Sequence, residues 1–143
     1  MRARDYLNQL KKLDSMIKNK MIEREQWRSM ALSTTAHSDG ERVQSSGSQQ
    51  KMADAICRYI DIENDINSRI DALVDKRNEV IEVIEQLDEP EYNLLHCVYV
   101  QYIALHDVPE VIGKSYSWAT TMHGRALAHV QEILDGKAGA KDE

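Results

Sequence analysis

Residues 51–87, KMADAICRYIDIENDINSRIDALVDKRNEVIEVIEQL, decide the fold of this chain because they contain a long helical repeat without Pro or Gly. Apolar residues recur there every seven positions, at Met52, Tyr59, Ile66, Leu73, Val80 and Leu87. A second series lies four residues further on, with Ile56, Ile70 and Ile84 as its apolar members and Glu63 and Arg77 as interruptions. Such a heptad repeat predicts a long helix that packs lengthwise, as in a coiled coil.

The apolar stripe of this helix is wider than the contact with one neighbouring helix requires. Ile60, Val74 and Ile81 each follow a member of the first series by one residue. A stripe of this width is typical of a helix that packs against more than one partner. We therefore expect a second contact, made by the C-terminal part of the chain or by a second copy of it.

Residues 3–32 predict a first helix, since apolar residues recur every three or four positions without Pro or Gly. Its apolar stripe contains Tyr6, Leu10, Leu13, Ile17, Met21, Trp27 and Met30. The simplest packing folds this helix back along residues 51–87 as an antiparallel hairpin. Residues 33–49, STTAHSDGERVQSSGSQ, are rich in Ser and Gly and include the turn signal Asp39-Gly40. They predict a flexible loop within a hairpin domain that covers residues 1–88.

The C-terminal part predicts three shorter helices. Pro90 favours a helix start, and Leu94, Leu95, Val98 and Tyr102 would face inward from a helix over residues 91–103. Gly113 ends a short helix around residues 105–112, and Ser115 caps a last helix over residues 116–134. The last helix has an apolar face of Ala119, Met122, Ala126, Val130 and Ile133. We predict a helix-turn-helix domain over residues 89–135 and a disordered tail over residues 136–143.

The helix-turn-helix pattern favours binding to double-stranded DNA. The second helix of this motif enters the major groove by its N-terminal half, so its outer residues must be short or polar. A capping Ser also leaves helix-start N–H groups available to a phosphate, and Lys and Arg bind backbone phosphates. The candidate DNA-binding residues are Lys114, Ser115, Tyr116, Ser117, Thr120, Thr121 and Arg125. Trp118 either stacks on a base or partner, or packs against the preceding helices.

The run YVQYIALHDVPEVIGKSYSWATTMHGRAL, residues 99–127, resembles the helix-turn-helix of sigma factor region four. It is more closely similar to a family of small phage proteins related to the ArpU and RinA late-transcription regulators. The resemblance rests on Ser115-Tyr116-Ser117-Trp118 and on His123-Gly124-Arg125-Ala126-Leu127, and it extends to the N-terminal helix, the Ser-rich loop and the heptad helix. It implies phage transcription regulation through DNA, through host RNA polymerase, or through both.

One position departs from that family. Pro109 stands where the family usually has a small helix former such as Ala. Because Pro lacks an N–H, we expect the first helix of the helix-turn-helix to be short or irregular.

Charge is distributed unevenly along the chain, whose net charge is −6. Residues 1–32 carry eight Lys and Arg against four Asp and Glu, and they form the one basic segment. Residues 33–87 carry six against eleven, and residues 88–143 carry four against nine. This balance counts against strong non-specific DNA binding, which needs a basic face. It favours a contact with polymerase beside, or in place of, a contact with DNA.

The sequence has no pattern that predicts chemistry. His96, His106, His123 and His129 are scattered, and no Cys-x-x-Cys occurs, so we expect no metal site. No phosphate-binding Gly-rich loop or nucleophile elbow is present, so we expect no enzyme activity and no cofactor. No apolar run approaches a membrane span or a signal peptide. We expect Cys57 and Cys97 to be free, buried thiols in a cytoplasmic protein.

Two other functions remain open. The heptad helix could drive homo-oligomerisation of a structural or interaction protein in which the C-terminal helices only cap the bundle. A small terminase subunit for DNA packaging is the third reading. Those proteins usually place the helix-turn-helix before the oligomerising helices, and here the order is reversed.

Overall fold

The computed structural model describes residues 1–37 and 46–141, and every regular element among them is helical. Two long helices, α1 (Ala3–His37) and α2 (Ser46–Ile84), are followed by α3 (Glu89–Leu95), which continues as a π-helical turn over His96–Val100. A short helix α4 (Val108–Ile112) and the long helix α5 (Tyr116–Lys141) complete the chain. The predicted all-α fold is confirmed. None of the described helices combines the length and apolar character that a bilayer crossing needs.

The helices form two compact units. The hairpin unit is Asp14–Ala72, and the composite unit joins Met1–Leu13 to Leu73–Glu143. Helices α1 and α2 each contribute residues to both units. The predicted domain boundary at residues 88 and 89 is therefore not a boundary between compact units. Helices α3 and α5 share a core with the first residues of α1 and the last turns of α2 instead.

In the hairpin unit, α1 and α2 run antiparallel. Arg24 Nη1 lies 3.8 Å from Glu63 Oε1, and Arg69 Nη1 lies 3.9 Å from Met16 Sδ. Residues earlier in α1 therefore lie beside residues later in α2, as in an antiparallel pair. Ile17, Ala55 and Ile66 are buried between the two helices. This geometry confirms the helical hairpin that the heptad repeat predicts.

The composite unit holds the largest core of the described residues. Its buried apolar side chains come from the start of α1, the end of α2, α3 with its π-helical turn, and α5. They include Leu7, Leu10, Val80, Val83, Ile84, Leu95, Tyr99, Ala126 and Val130. The C-terminal helices therefore cover the last turns of the α2 stripe, as one of the two expected arrangements requires. Side chains buried this fully each contribute about 1.5–3 kcal/mol of hydrophobic stabilisation.

A polar cluster fastens α1 to α2 in the same unit. The Tyr6 hydroxyl donates to Glu79 Oε2 at 2.8 Å, and Lys76 Nζ donates to the same oxygen at 2.9 Å. The bond from Lys76 is the main reason why the pKa of Glu79 lies below its usual value. Burial, followed by the bond to Glu79, raises the pKa of Tyr6. Tyr6 therefore stays protonated and keeps donating this bond.

Helix α3 begins at Glu89 with Pro90 in its first turn, where the missing N–H costs nothing. The helix predicted over residues 91–103 ends earlier, at Val100, which is the last residue of the π-helical turn. Tyr102 has a φ of +60°, a conformation that costs a non-Gly residue about 1–2 kcal/mol. Its hydroxyl donates to the Leu10 carbonyl at 3.2 Å, which helps to hold it there. The prediction that Tyr102 faces inward from a helix was wrong, since it follows the helix end and is exposed.

Helix ends differ from the predictions in three places. Helix α1 continues to His37 and α2 begins at Ser46, so residues 33–37 and 46–49 of the predicted loop are helical. The rest of that loop, including Asp39-Gly40, lies outside the described residues. Helix α5 continues to Lys141, which corrects the predicted tail for residues 136–141. Gly136 and Gly139 lower helix propensity there without ending the helix.

The apolar stripe of the hairpin unit is only partly covered. Ile66 is buried, while Ile22, Leu32 and Ile60 keep 59%, 59% and 49% of their surface exposed. Ile56 is also exposed, beside a groove of about 350 Å³ lined by Arg28, Ala31, Leu32, Met52, Ile56 and Tyr59. Ile56 of the second series and Ile60 are therefore only partly covered by the described residues of this unit.

The two cysteines lie in different surroundings, and both are free. Cys97 is buried, as expected, and burial raises the pKa of its thiol. Cys57 is exposed, so the expectation that it is buried was wrong. It lies on the solvent side of α2, one residue after Ile56 in the second series.

Candidate nucleic-acid interface

The turn between α4 and α5 is set by Gly113. Its φ of +69° is left-handed, and its N–H donates to the Pro109 carbonyl at 2.9 Å. The Lys114 N–H shares that carbonyl at 3.2 Å, so two N–H groups close the end of α4. Pro109 lies in the first turn of α4, which is five residues long. This confirms the expectation of a short first helix.

A small apolar cluster fixes α4 against its neighbours. Leu94, Cys97 and Val108 are its buried members. Ile112 from α4 and Met122 from α5 pack against them. Because the cluster draws on α3, α4 and α5, it fixes the position of α5 relative to the turn. The exposed face of α5 is therefore held in place by the packed apolar cluster behind it.

Ser115 caps α5. Its Oγ accepts the Trp118 N–H at 3.1 Å, and its carbonyl accepts the Ala119 N–H at 3.0 Å. A Ser cap contributes about 1 kcal/mol to helix stability. Inside the first turn, the Thr120 hydroxyl donates to the Ser117 carbonyl at 3.0 Å. That bond orients the Thr120 oxygen and leaves its lone pairs free to accept.

All seven predicted site residues lie at the surface around the start of α5. They are Lys114, Ser115, Tyr116, Ser117, Thr120, Thr121 and Arg125, and each is exposed. Gly124 continues the same face, and a Cβ built on it would meet nothing within 4 Å. The short polar side chains among them, Ser115, Ser117, Thr120 and Thr121, thus lie at the cap and within the first two turns of α5.

The two cations of this surface are held differently. Lys114 Nζ lies 5.7 Å from the centre of the Trp118 ring, at cation–π distance. Trp118 is half-buried, so the structure gives it a contact with Lys114 and leaves part of its ring accessible. Arg125 is exposed, and among residues 1–37 and 46–141 it makes no ion pair. Its guanidinium is available to an anionic partner.

Beneath the face lies a buried pair that the sequence analysis missed. His123 Nε2 and Tyr99 Oη are 2.9 Å apart, and the two rings stack at a tilt of 15°. Burial, followed by the positive charge of Arg4, lowers the pKa of His123. Burial also raises the pKa of Tyr99. Both groups are therefore neutral near pH 7, and the pair acts as a polar part of the core.

A second missed pair joins α3 to α5. His129 Nδ1 lies 2.7 and 2.9 Å from the two carboxylate oxygens of Glu91. The Glu91 carboxylate is buried, and its bond to His129 is the main reason why the pKa of His129 is raised. Helical spacing could have located His123, which lies four residues after Ala119. No spacing rule could have joined Glu91 to His129 across 38 residues.

The described side chains of the α5 surface offer hydrogen bonding and charge. No group of three or more His, Cys, Asp or Glu side chains converges within the described ranges as a metal site requires. A nucleophile needs an adjacent base, and the thiol of the buried Cys97 has a raised pKa instead. The α5 surface can donate hydrogen bonds to a bound partner and accept hydrogen bonds from it.

Comparisons with models of known protein families, with curated protein sequences and with solved structures find no match to this chain.

Proposed function

We propose that this protein is a transcription regulator that binds double-stranded DNA through the start of α5. One observation carries the proposal: an exposed helix face of short polar residues stands next to a tight Gly113 turn and is supported by a buried cluster. A helix-turn-helix needs this combination, because its second helix must enter a groove about 12 Å wide while the first helix holds it. The resemblance to phage late-transcription regulators points in the same direction.

The side chains of this surface have separate roles in the proposal. Ser117, Thr120 and Thr121 read base edges with hydroxyl groups that both donate and accept. Arg125 and Lys114 bind backbone phosphates, which fixes the register of the protein on the duplex. Binding needs no cofactor and no covalent step.

Host RNA polymerase is the second partner that we propose. The start of α5 carries few positive charges, and residues 88–143 have five more acidic than basic side chains. A purely electrostatic grip on DNA would therefore be weak. A regulator that also contacts polymerase would gain affinity from two simultaneous contacts.

The test is fluorescence anisotropy with labelled duplexes, comparing DNA from around the protein's own gene with random DNA at several salt concentrations. We expect saturable binding that prefers the native duplex and weakens as salt rises. Replacing Thr120 and Arg125 together by Ala should weaken binding about tenfold or more, since each such contact contributes about 1–3 kcal/mol.

The matched control is Lys12→Ala with Ser15→Ala, which removes one exposed cation and one exposed hydroxyl from α1. It should leave the affinity unchanged. Absence of duplex binding at micromolar protein, or full affinity in the Thr120 and Arg125 variant, would refute DNA reading by α5. Retention on immobilised polymerase in that case would support the second partner alone.

A structural or oligomerising role without direct DNA binding is the alternative, and one observation favours it. The hairpin unit exposes Ile22, Leu32, Ile56 and Ile60, and exposed apolar groups of this kind mark interaction surfaces. The occupant that we propose is a second copy of the chain, since heptad helices commonly self-associate. Duplex affinity measured beside the mass from light scattering separates the two roles, because both forms of the protein can self-associate and only the regulator binds DNA.

A further inference from the structure

Two arginines at the start of α1 lie beside the proposed DNA-binding helix. Arg2 and Arg4 are exposed, while Ala3 between them is buried. They line a cleft of about 350 Å³ together with Leu127 and Ala128 of α5. The basic N-terminal segment of the sequence thus begins next to α5, whose exposed face carries short polar side chains.

Hydrogen bonds hold the start of α1 to α5. The Ala3 N–H donates to Gln131 Oε1 at 2.7 Å, and Gln131 Nε2 donates to the Met1 carbonyl at 3.3 Å. These bonds hold the backbone around Ala3 beside α5, and with it the points from which the Arg2 and Arg4 side chains extend. Because the Ala3 N–H is already bonded, an anion at this place would be bound by the arginine side chains.

Arg4 reaches further along α5 than the cleft alone indicates. After burial, the main cause, its positive charge lowers the pKa of His123, the residue before Gly124. At 100° per residue, Gly124 and Ala128 point between the direction of Leu127 and that of Arg125. Both the arginine cleft, which Ala128 lines, and Arg125 therefore border this stretch of small residues.

We propose that Arg2 and Arg4 bind backbone phosphates of the same duplex that α5 reads, beyond the C-terminal end of its polar face. The inference rests on the proposed function and extends the interface to the N-terminal segment. Thr121 and Ala128 are about 10 Å apart along the helix axis, close to the roughly 8.5 Å depth of the major groove. With base edges at Thr121, the phosphates that border the groove come to the level of Ala128 and its neighbouring arginines.

The arginine pair also compensates for the acidic composition of the C-terminal part. Asp5 lines the same cleft, so the cleft carries two cations and one carboxylate. Arg2 and Arg4 thus add two cations beside α5 to Lys114 and Arg125 at its start. Each phosphate that they neutralise adds to the electrostatic part of duplex binding and to its salt dependence.

The test measures duplex affinity by anisotropy over a series of salt concentrations for Arg2→Ala with Arg4→Ala. Two lost phosphate contacts should lower the slope of log K against log salt by about 1.8. Lys11→Ala with Lys12→Ala removes the same charge from exposed positions of the same helix and should leave the slope unchanged. Asp5→Asn should raise the affinity, since it removes the carboxylate.

Arg4→Ala also removes a positive charge that acts on the buried Tyr99 and His123, so the thermal midpoint of each variant is measured beside the slope. Arg2→Glu alone reverses an exposed charge and should weaken duplex binding in a fully folded protein. If the wild-type chain binds duplex and these variants keep its slope and affinity, the inference is overturned while the proposed function stands. If the wild-type chain binds no duplex, the proposed function fails and the inference fails with it.

Discussion

Gly113 shows how much of the motif depends on one residue. Its φ of +69° costs a residue with a Cβ about 1–2 kcal/mol, although a Cβ there would meet nothing within 4 Å. We expect Gly113→Ala to lower the free energy of unfolding by about that amount, as measured by urea denaturation. Gly113→Asn should cost less, because Asn tolerates this conformation better. Equal stability of the Ala variant and the wild type would contradict the left-handed turn.

The two missed histidines predict opposite responses to pH. His123 has a lowered pKa, so the unfolded chain binds its proton more readily, and stability falls as the pH drops below about 6.5. His129 has a raised pKa, so its contribution is fully present below about 6.5 and is lost as the pH rises through the folded value. Urea unfolding between pH 5 and pH 8 measures both effects.

Single variants separate these contributions. His123→Gln should reduce the loss of stability on the acid side, and His129→Gln should remove the loss that His129 causes on the alkaline side. If the stability of the His123→Gln variant declines below pH 6.5 as steeply as that of the wild type, the buried pair of His123 and Tyr99 is not the source of the acid-side loss. The sequence could not predict either response, since burial and distant partners set both pKa values.

At the scale of elements, α5 carries a glycine in the middle of its exposed face. A Cβ at Gly124 meets no atom within 4 Å, and the residue is helical. We expect Gly124→Ala to raise the free energy of unfolding by about 0.5–1 kcal/mol, the difference in helix propensity. Thermal and urea unfolding measure this gain. A destabilised variant would mean that the backbone at Gly124 is not helical.

The sequence predicted elements better than it predicted their ends. Apolar spacing located α1, α2 and α5 and the buried face of α5 at Ala119, Ala126 and Val130. It missed where α1 ends, because a Ser- and Thr-rich composition weakens helix propensity without preventing a helix. It also missed the π-helical turn, since no local pattern marks the extra residue that such a turn contains.

The sequence predicted which residues of the candidate site are exposed. It did not predict which other residues lie beside them in three dimensions. Helical spacing alone placed Ser117, Thr120 and Thr121 outside, and the structure agrees. The arginines of the N-terminal segment were noticed only as a charge balance. Their position beside Ala128 depends on tertiary packing, through contacts more than a hundred residues apart in the chain.

At the scale of the whole molecule, the exposed apolar residues of the hairpin unit predict self-association. Ile60→Glu adds a charge to this surface at a position that is half exposed, so the fold should tolerate it. We expect the wild-type chain to form an oligomer at tens of micromolar protein and this variant to shift towards monomer in light scattering. The reason is the cost of burying an unpaired carboxylate in the contact.

Ser68→Glu is the matched control, because it adds the same charge to an exposed position of α2 that points away from Ile66 and Ile70 of the apolar stripe. It should leave the mass unchanged. A monomeric wild-type chain at these concentrations would remove the second copy as the cover of the stripe. Equal dissociation by both substitutions would attribute the effect to net charge.

The contrast between the two cysteines makes the protein suitable for site-directed labelling in its natural sequence. A maleimide spin label should attach to Cys57, which is exposed, and spare Cys97, whose thiol is buried and has a raised pKa. One label per chain would then sit within the hairpin unit, next to Ile56. In an oligomer, pulsed electron paramagnetic resonance would measure the distance between two such labels. That distance would determine which faces of α2 meet.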